Sequence, residues 1–172
     1  MSLSIYDATI GTSTRAVLTL LDLVKLAQAH PKGEALASAR LADDMLPFTT
    51  QILIVTNFAK KYVERLARRE LPVWEDNETT LEQCVARLEK TLDLLKTVSR
   101  EDVEGAAVNE VNIKMGKAGN ADVTTKQYVL DYAFPNIYFH LTTAYDILRK
   151  EGLELGKAVY IQQFVSEWNF KQ

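Results

Sequence analysis

The sequence predicts an all-α protein, a four-helix bundle with a small β-hairpin between helices three and four. Four long segments carry apolar residues at spacings of three and four, which is the repeat of a helix with one buried face. One short stretch near residue 111 alternates with period two instead, as a strand does. The chain has 172 residues, which suits a single domain over 1–172 that buries roughly 70% of its unfolded surface without metals or disulfides.

The first two helices are bounded by proline and glycine. Helix one is expected from about residue 4 to residue 30, where Pro31 and Gly33 stop it. Helix two is expected from Pro47, which suits a first helical turn, to about residue 69. The segment 71–74 contains Pro72 and is expected to be extended. Medium-length links between the helices predict an antiparallel bundle, with one long crossover as the alternative connection.

Helix three and the hairpin have their own start signals. Thr79 followed by Glu82 has the spacing of a capping box, which predicts a helix from about residue 79 to residue 99. Residues 111–115 then alternate apolar and polar, and residues 116–120 are rich in glycine and asparagine. We therefore expect a β-hairpin that closes near Val123.

The last helix is predicted to start at Thr124 or Thr125 and to end at Gly152. Gln127 completes a second possible capping box at its start. Pro135 lies inside the helix and predicts a kink one turn before His140. Residues 153–172 give a weaker signal: part is extended, and residues 163–170 are amphipathic.

Composition excludes several functional classes. The net charge of −3 and the pI of about 5.5 argue against binding of nucleic acid, which requires a dense basic surface. The N-terminus does not resemble a signal peptide, and no apolar run approaches the ~18 residues of a membrane span, so a cytoplasmic protein with no membrane association is expected. Cys84 is the single cysteine and falls on an apolar helical face, which favours a buried thiol over a nucleophile.

The last helix also carries the strongest functional signal. Asn136 and His140 lie one helical turn apart, so their side chains share one side of the helix, next to its apolar face. Polar groups beside a core are costly unless they are hydrogen-bonded or have a function. His140 is also a near-core group whose ordinary pKa lies near neutrality, which suits acid–base chemistry.

Several stretches together carry a resemblance to a known family. They are SIYDA at residue 4, LADDMLPF at residue 41, LPVWEDNETT at residue 71, PNIYFHLTTAYDILR at residue 135 and LGK at residue 155. On these motifs the chain resembles an uncharacterised domain-of-unknown-function family within the DinB-like four-helix-bundle superfamily. The resemblance reaches about residue 161, so residues 162–172 are read as a C-terminal extension.

The resemblance implies a left-handed up-up-down-down bundle that is commonly dimeric. Many relatives hold a divalent metal through three histidines, one on helix two and a pair on helix four, and some are thiol-dependent transferases or isomerases. This chain departs from that pattern, because the helix-four pair is Asn136 and His140 and the nearest residue on helix two is Gln51. We therefore predict no cofactor, with a divalent metal such as zinc or nickel as the weaker alternative.

Other polar and aromatic residues are candidates for the same site. Asp43 and Asp44 are predicted either to orient or charge His140, as in a catalytic triad, or to cap helix two. Tyr6, Tyr138 and Tyr145 either donate hydrogen bonds to a bound carbonyl or belong to the core. Trp74 is either the lid of a pocket or a cover for one end of the core.

Two functional classes follow from these candidates. The first is a small-molecule-binding protein, an isomerase, cyclase or transferase in which His140 is the acid–base residue. The second is a non-catalytic bundle that dimerises or binds a partner, with His140 hydrogen-bonded for structural reasons. A homodimer is predicted from the resemblance and from the large apolar side chains of the tail, among them Phe164, Trp168 and Phe170.

Overall fold

Four long helices form the body of the molecule. The computed structural model describes residues 4–108, 110–115 and 119–170. The long helices are α1 (Thr12–Ala29), α2 (Phe48–Leu66), α3 (Leu81–Lys96) and α6 (Phe134–Lys150). Helices α1 and α2 each pack against both α3 and α6, so α1 and α2 lie diagonally across the bundle. The predicted four-helix architecture is confirmed.

The hairpin is also confirmed. Strands β1 (Glu110–Lys114) and β2 (Asn120–Thr124) pair antiparallel, with Val111 opposite Val123. Val111 and Ile113 are buried against the helices, which explains the period of two in the sequence. The predicted turn at 116–118 lies outside the described residues.

Short elements complete the chain between the long helices. They are α4 (Arg100–Glu104), α5 (Thr125–Gln127), α7 (Lys157–Ile161) and the 3-10 turns Gly33–Ser38, Gly105–Val108 and Gln162–Phe164. One cluster of buried side chains extends from Ile10 to Leu155 and includes residues of all four long helices.

The start of α3 differs by one residue from the prediction. The cap is Thr80, whose side chain accepts from the backbone N–H of Gln83, and the Gln83 side chain accepts from the N–H groups of Thr79 and Thr80. The predicted pair of Thr79 and Glu82 is therefore wrong. The later start leaves Leu81 fully buried at the first position of the helix.

Two segments have a wider helical turn that the sequence did not predict. Asp7–Gly11 before α1 and Tyr128–Ala133 before α6 are π-helical, so we call them the first and second π segments. Pro135, at which the sequence predicts a kink, lies in the first turn of α6 directly after the second π segment, where its missing N–H cannot continue the helical ladder; the kink itself stays a prediction. The helix predicted from Thr124 to Gly152 is thus α5, a π segment and α6 in succession. Thr124 with Gln127 caps it, and Gly152 ends it with a φ of 103°.

The C-terminal segment folds back onto the bundle. Gln163 donates to Asp22 at 2.6 Å, and Arg15 pairs with Glu167 at 3.4 Å, so the segment lies along α1. Phe164 packs against Tyr138 of α6 with ring centroids 6.0 Å apart. Trp168 and Phe170 remain 65% and 69% exposed.

Candidate functional site

The candidate site lies where α2 and α6 meet. Phe58 contacts Tyr132 edge-on at 5.6 Å, and Tyr62 contacts Tyr128 at 5.9 Å. The numbers rise along α2 as they fall along the last helix, so the two run antiparallel. These two contacts are made by the second π segment, and the pairing of Gln51 with His140 continues them into α6. We call the whole contact the α2–α6 seam.

A relay of two hydrogen bonds fixes His140. The Gln51 side chain is buried and its Nε2 donates to the carbonyl of Leu46 at 2.8 Å. That bond orients the amide so that its Oε1 faces Nδ1 of His140 at 2.7 Å. Because an amide oxygen can only accept, Nδ1 carries the proton in the neutral ring and Nε2 carries the lone pair.

The electrostatics keep that lone pair available. Burial lowers the pKa of His140 below its ordinary value of 6.5, so the imidazole is neutral at pH 7. Its partner is a neutral amide, whereas a carboxylate partner would have raised the pKa of His140. No described residue bonds Nε2, and Nε2 is not sealed in the interior. His140 therefore presents an aligned, unprotonated nitrogen at the surface.

A groove runs along the neighbouring face of α6. It has a volume of about 450 Å³ and lies between α6 and the 41–45 loop. Its wall contains Leu41, Met45, Pro135, Tyr138, Phe139, Thr142, Thr143 and Asp146. Phe139 is 57% exposed and its ring contacts that of His140 edge-on at 5.2 Å. Phe139 lines the groove, whereas His140 is not among its lining residues, so the imidazole lies beside the groove on the far side of Phe139.

The remaining α6 candidates occupy different positions around this groove. Tyr138 lines it with its partly exposed ring. Asn136 donates to the carbonyl of Tyr132 at 2.6 Å, which ties it to the second π segment. Tyr145 donates to the carbonyl of Leu155 at 3.0 Å and so holds the chain after α6. Of these three residues, Tyr138 is the one placed to meet a ligand in the groove.

Asp43 and Asp44 lie away from the positions predicted for them. Both are exposed in the turn before α2, and neither contacts His140 in the described part of the chain. The cap of α2 is Pro47, with no side-chain hydrogen bond. Gln51 takes the orienting place because it lies one turn inside α2, opposite His140. The carboxylates therefore neither orient His140 nor cap the helix.

Tyr6 and Trp74 lie at other places in the bundle. The ring of Tyr6 is covered by the guanidinium of Arg100 at 4.9 Å. Trp74 is surrounded by three cations, Lys60 at 5.6 Å, Arg87 at 4.8 Å and Lys90 at 4.4 Å. Neither residue belongs to the His140 site. Trp74 also lines a cavity of about 360 Å³ together with Arg87 and Lys90, so its two predicted roles, pocket lid or cover of the core, both stay predictions.

Arg87 is a buried residue that the sequence analysis missed. Its Nε donates to Thr56, and its terminal nitrogens donate to Asn57, Asp76, Glu78 and the carbonyl of Glu75, at 2.7–3.2 Å. Five bonds use all five donors of a guanidinium. The surrounding sequence RLEK resembles a solvated helix face, which conceals the burial of Arg87. The one signal for its burial is its position between Cys84 and Leu88, which are both buried.

The residues at the seam do not fit the metal of the superfamily. Gln51 and Asn136 stand at two of the three positions, and both side-chain amides are engaged with carbonyls or the imidazole. Within residues 4–108, 110–115 and 119–170, no cluster of three or more histidine, cysteine or acidic residues could hold a metal ion. One imidazole with two amides is a poor site for a divalent transition metal. The prediction that the protein uses no metal stays a prediction.

Comparison with known proteins identifies the class of fold first. The chain is similar to a solved structure described as the crystal structure of a DinB family member protein from Shewanella denitrificans. The two are 31% identical, the match covers 91% of each chain, and the TM-score is 0.82. The fold is therefore that of a DinB-like bundle.

The particular family follows from the sequence match. A family model described as "Domain of unknown function (DUF1993)" matches residues 5–161, and this chain belongs to that family. The search of curated proteins found no match. Residues 162–172 lie beyond the family match, and their assignment as an extension stays a prediction.

The sequence predicts that no segment of the chain spans a membrane. Among the described residues, each helix is too short or too polar to cross a bilayer.

Proposed function

We propose that this protein binds a small organic molecule in the groove beside α6 and uses His140 as its acid–base residue. The reaction class is a metal-independent isomerisation, cyclisation or group transfer. The observation that carries this proposal is the relay from Leu46 through Gln51 to His140. Burial lowers the pKa of a structural histidine as well, so the feature that favours an acid–base role is the open Nε2.

The relay supports proton transfer in both directions. Nε2 takes a proton from the ligand, and Nδ1 keeps its bond to Gln51 in the imidazolium, so the ring does not rotate. The amide stabilises the imidazolium less than a carboxylate would, which keeps the acquired proton easy to return. The phenol of Tyr138 lines the groove and bonds to no described residue, so it supplies a donor for a ligand carbonyl.

The walls of the groove restrict what binds there. Thr143 donates to the carbonyl of Phe139 at 2.7 Å, and Thr142 bonds with the phenol of Tyr160 at 3.1 Å. Those hydroxyls are committed, which leaves Tyr138 and Asp146 as the polar groups for a ligand. A partly apolar molecule with a carbonyl group and one polar end matches this lining.

The non-catalytic alternative rests on a different surface. Trp168 and Phe170 are exposed and lie 6.2 Å apart, which is unusual for a segment without a partner. A homodimer through this segment stays a prediction. Sedimentation at micromolar concentration measures it, and a clean monomer contradicts it.

The proposal is tested with the two histidines of the chain. In ¹⁵N-edited spectra we expect His140 as the Nδ1–H tautomer with a pKa below 6.5, and His30→Gln assigns the signals by removing the other set. A thermal-shift screen of carbonyl metabolites is then run on the wild type, on His30→Gln and on Phe139→Ser. We expect ligands that raise the melting temperature of the first two proteins, not of the third, and that shift the Nε2 resonance.

Two results would count against the proposed function. One is an Nε2–H tautomer, which would mean that the relay does not hold. The other is a set of ligands that stabilise the protein without any effect on the His140 resonances. In either case the non-catalytic alternative would be preferred.

A further inference from the structure

A second cavity lies at the other end of the last helix. Its volume is about 310 Å³, and it is lined by Ser4, Ile5, Ala8, Thr9, Thr125, Lys126, Val129 and Leu130. Val129 precedes His140 by 11 residues, which is roughly 16 Å along a helix. The cavity and the His140 groove share no lining residue.

Each wall of this cavity contains part of a π segment, and the other lining residues precede it: Ser4 and Ile5 on one wall, Thr125 and Lys126 on the other. Ala8 and Thr9 belong to the first π segment, and Val129 and Leu130 belong to the second. A π turn contains an extra residue, so the side chains around it no longer follow the α-helical ridges that fill a helix contact. Such turns are frequent at functional sites, and here two of them contribute residues to the same space.

The polar groups of the wall are already committed within the protein. Thr9 donates to the carbonyl of Ile5 at 2.6 Å, and Ser4 donates to Asp7 at 2.7 Å. Thr125 is fully buried and has an interaction of its own. The inner surface thus offers a ligand mainly hydrocarbon from Ile5, Ala8, Val129 and Leu130.

One charge stands at the edge of this apolar space. Lys126 lines the cavity, is exposed, and has no ion-pair partner in the described part of the chain. An apolar interior with one cation at the rim is complementary to an amphiphilic anion. An engineered apolar cavity of about 150 Å³ binds benzene, so twice that volume suits roughly ten carbon atoms.

We propose that this cavity is a binding site for a medium-chain carboxylate, with the hydrocarbon chain between the two π segments and the carboxylate at Lys126. The site is separate from the His140 groove, so it carries a second ligand and does not depend on the function proposed above.

The test uses decanoate as the probe and the full-length protein. Calorimetric titration should show saturable binding with one site per chain. Decanol, which has the same chain length without the charge, should bind roughly two- to fivefold more weakly, as expected for one exposed ion pair. Lys126→Gln should remove that difference, while Lys157→Gln, an exposed lysine elsewhere, should keep it.

The interior of the cavity is tested by filling it. Ala8→Phe places a ring in the space and should abolish decanoate binding, with circular dichroism as the check on folding. An independent measurement on the wild type is the methyl spectrum, in which decanoate should shift Ile5, Val129 and Leu130. His140→Gln should bind decanoate as the wild type does, which separates this proposal from the proposed function.

Two outcomes would overturn the proposal. One is the absence of saturable binding below about the micelle-forming concentration of decanoate. The other is binding that leaves the three methyl groups unshifted, which would place the ligand elsewhere. Equal affinity for decanoate and decanol in the wild type would show that Lys126 does not bind the carboxylate, and it would contradict the proposed class of ligand.

Discussion

Two polar centres border helix α2, and they differ in how completely they are paired. Arg87 packs against α2 from α3 and has a partner for each of its five donors. His140 packs against α2 from α6 and has a partner for one ring nitrogen of two. A buried polar group that is fully paired has no capacity left for a ligand, whereas a half-paired one at the surface does. The comparison separates a structural centre from a candidate site within one helix bundle.

The largest change in stability is expected at Arg87, the fully paired centre, which we call the closed centre; His140 is the open centre. Arg87→Met should lower the free energy of unfolding by about 3 kcal/mol, because it leaves the carboxylate of Glu78 without its partner in a site where Glu78 is 14% exposed. Urea denaturation measures the loss. Lys96→Met, at an exposed pair with Asp93, is the matched control and should change stability by less than about 0.5 kcal/mol. A loss below about 1 kcal/mol for Arg87→Met would mean that the donors of Arg87 are not all paired in solution.

A smaller effect is expected from breaking the relay at the open centre. Gln51→Leu removes the partners of the Leu46 carbonyl and of His140 Nδ1, which should cost about 1–2 kcal/mol. It should also convert His140 from one tautomer to a mixture of two. Leu53→Met is the control for a volume-conserving change in the same helix, because Leu53 is buried and makes no side-chain hydrogen bond. Retention of the pure Nδ1–H tautomer in Gln51→Leu would show that another group orients the ring.

The smallest effect is a pH dependence that belongs to the open centre. The pKa of His140 is lowered in the folded state by burial, so below about pH 6.5 the unfolded chain binds a proton that the folded chain resists. Stability should therefore fall as the pH is lowered from about 7 through 6.5 toward the folded pKa. His140→Gln should lose this dependence and His30→Gln should keep it. Measurements between about pH 5.5 and 8 avoid Asp7, whose pKa is held at about 2 by Arg100 and Ser4.

A stability curve that is flat in the wild type would contradict the burial of His140. A slope that survives unchanged in His140→Gln would assign it to another group.

The fold was predictable because the sequence patterns that determine it each lie within one element. The four apolar stripes, the period of two around Val111 and the glycine that ends α6 each lie within a few residues. The π segments were not predictable, because one extra residue in a turn leaves the apolar pattern of a helix nearly intact.

The site was predictable in part. His140 and Asn136 were identified from their spacing, and Gln51 was placed beside them as the nearest residue of helix two. Its role as the hydrogen-bond partner of His140 was not predicted, because the two residues lie on different helices and the carboxylates of Asp43 and Asp44 were the stronger acceptors by chemistry alone. The burial of Arg87 could not be predicted, because Arg87 lies among charged residues and a run of charges on a helix usually faces water.

The two centres also close chain loops of very different length. The bonds of Arg87 join residues 9 to 31 positions apart, whereas Gln51 and His140 are 89 positions apart. The entropy of loop closure grows with the logarithm of length, so the longer loop costs about 1 kcal/mol more to close than a loop of 30 residues. During synthesis the Arg87 network can form once α3 has emerged from the ribosome. The imidazole of His140 meets its amide only after the 89 positions that follow Gln51 have been made, so the candidate site is assembled later than the Arg87 network.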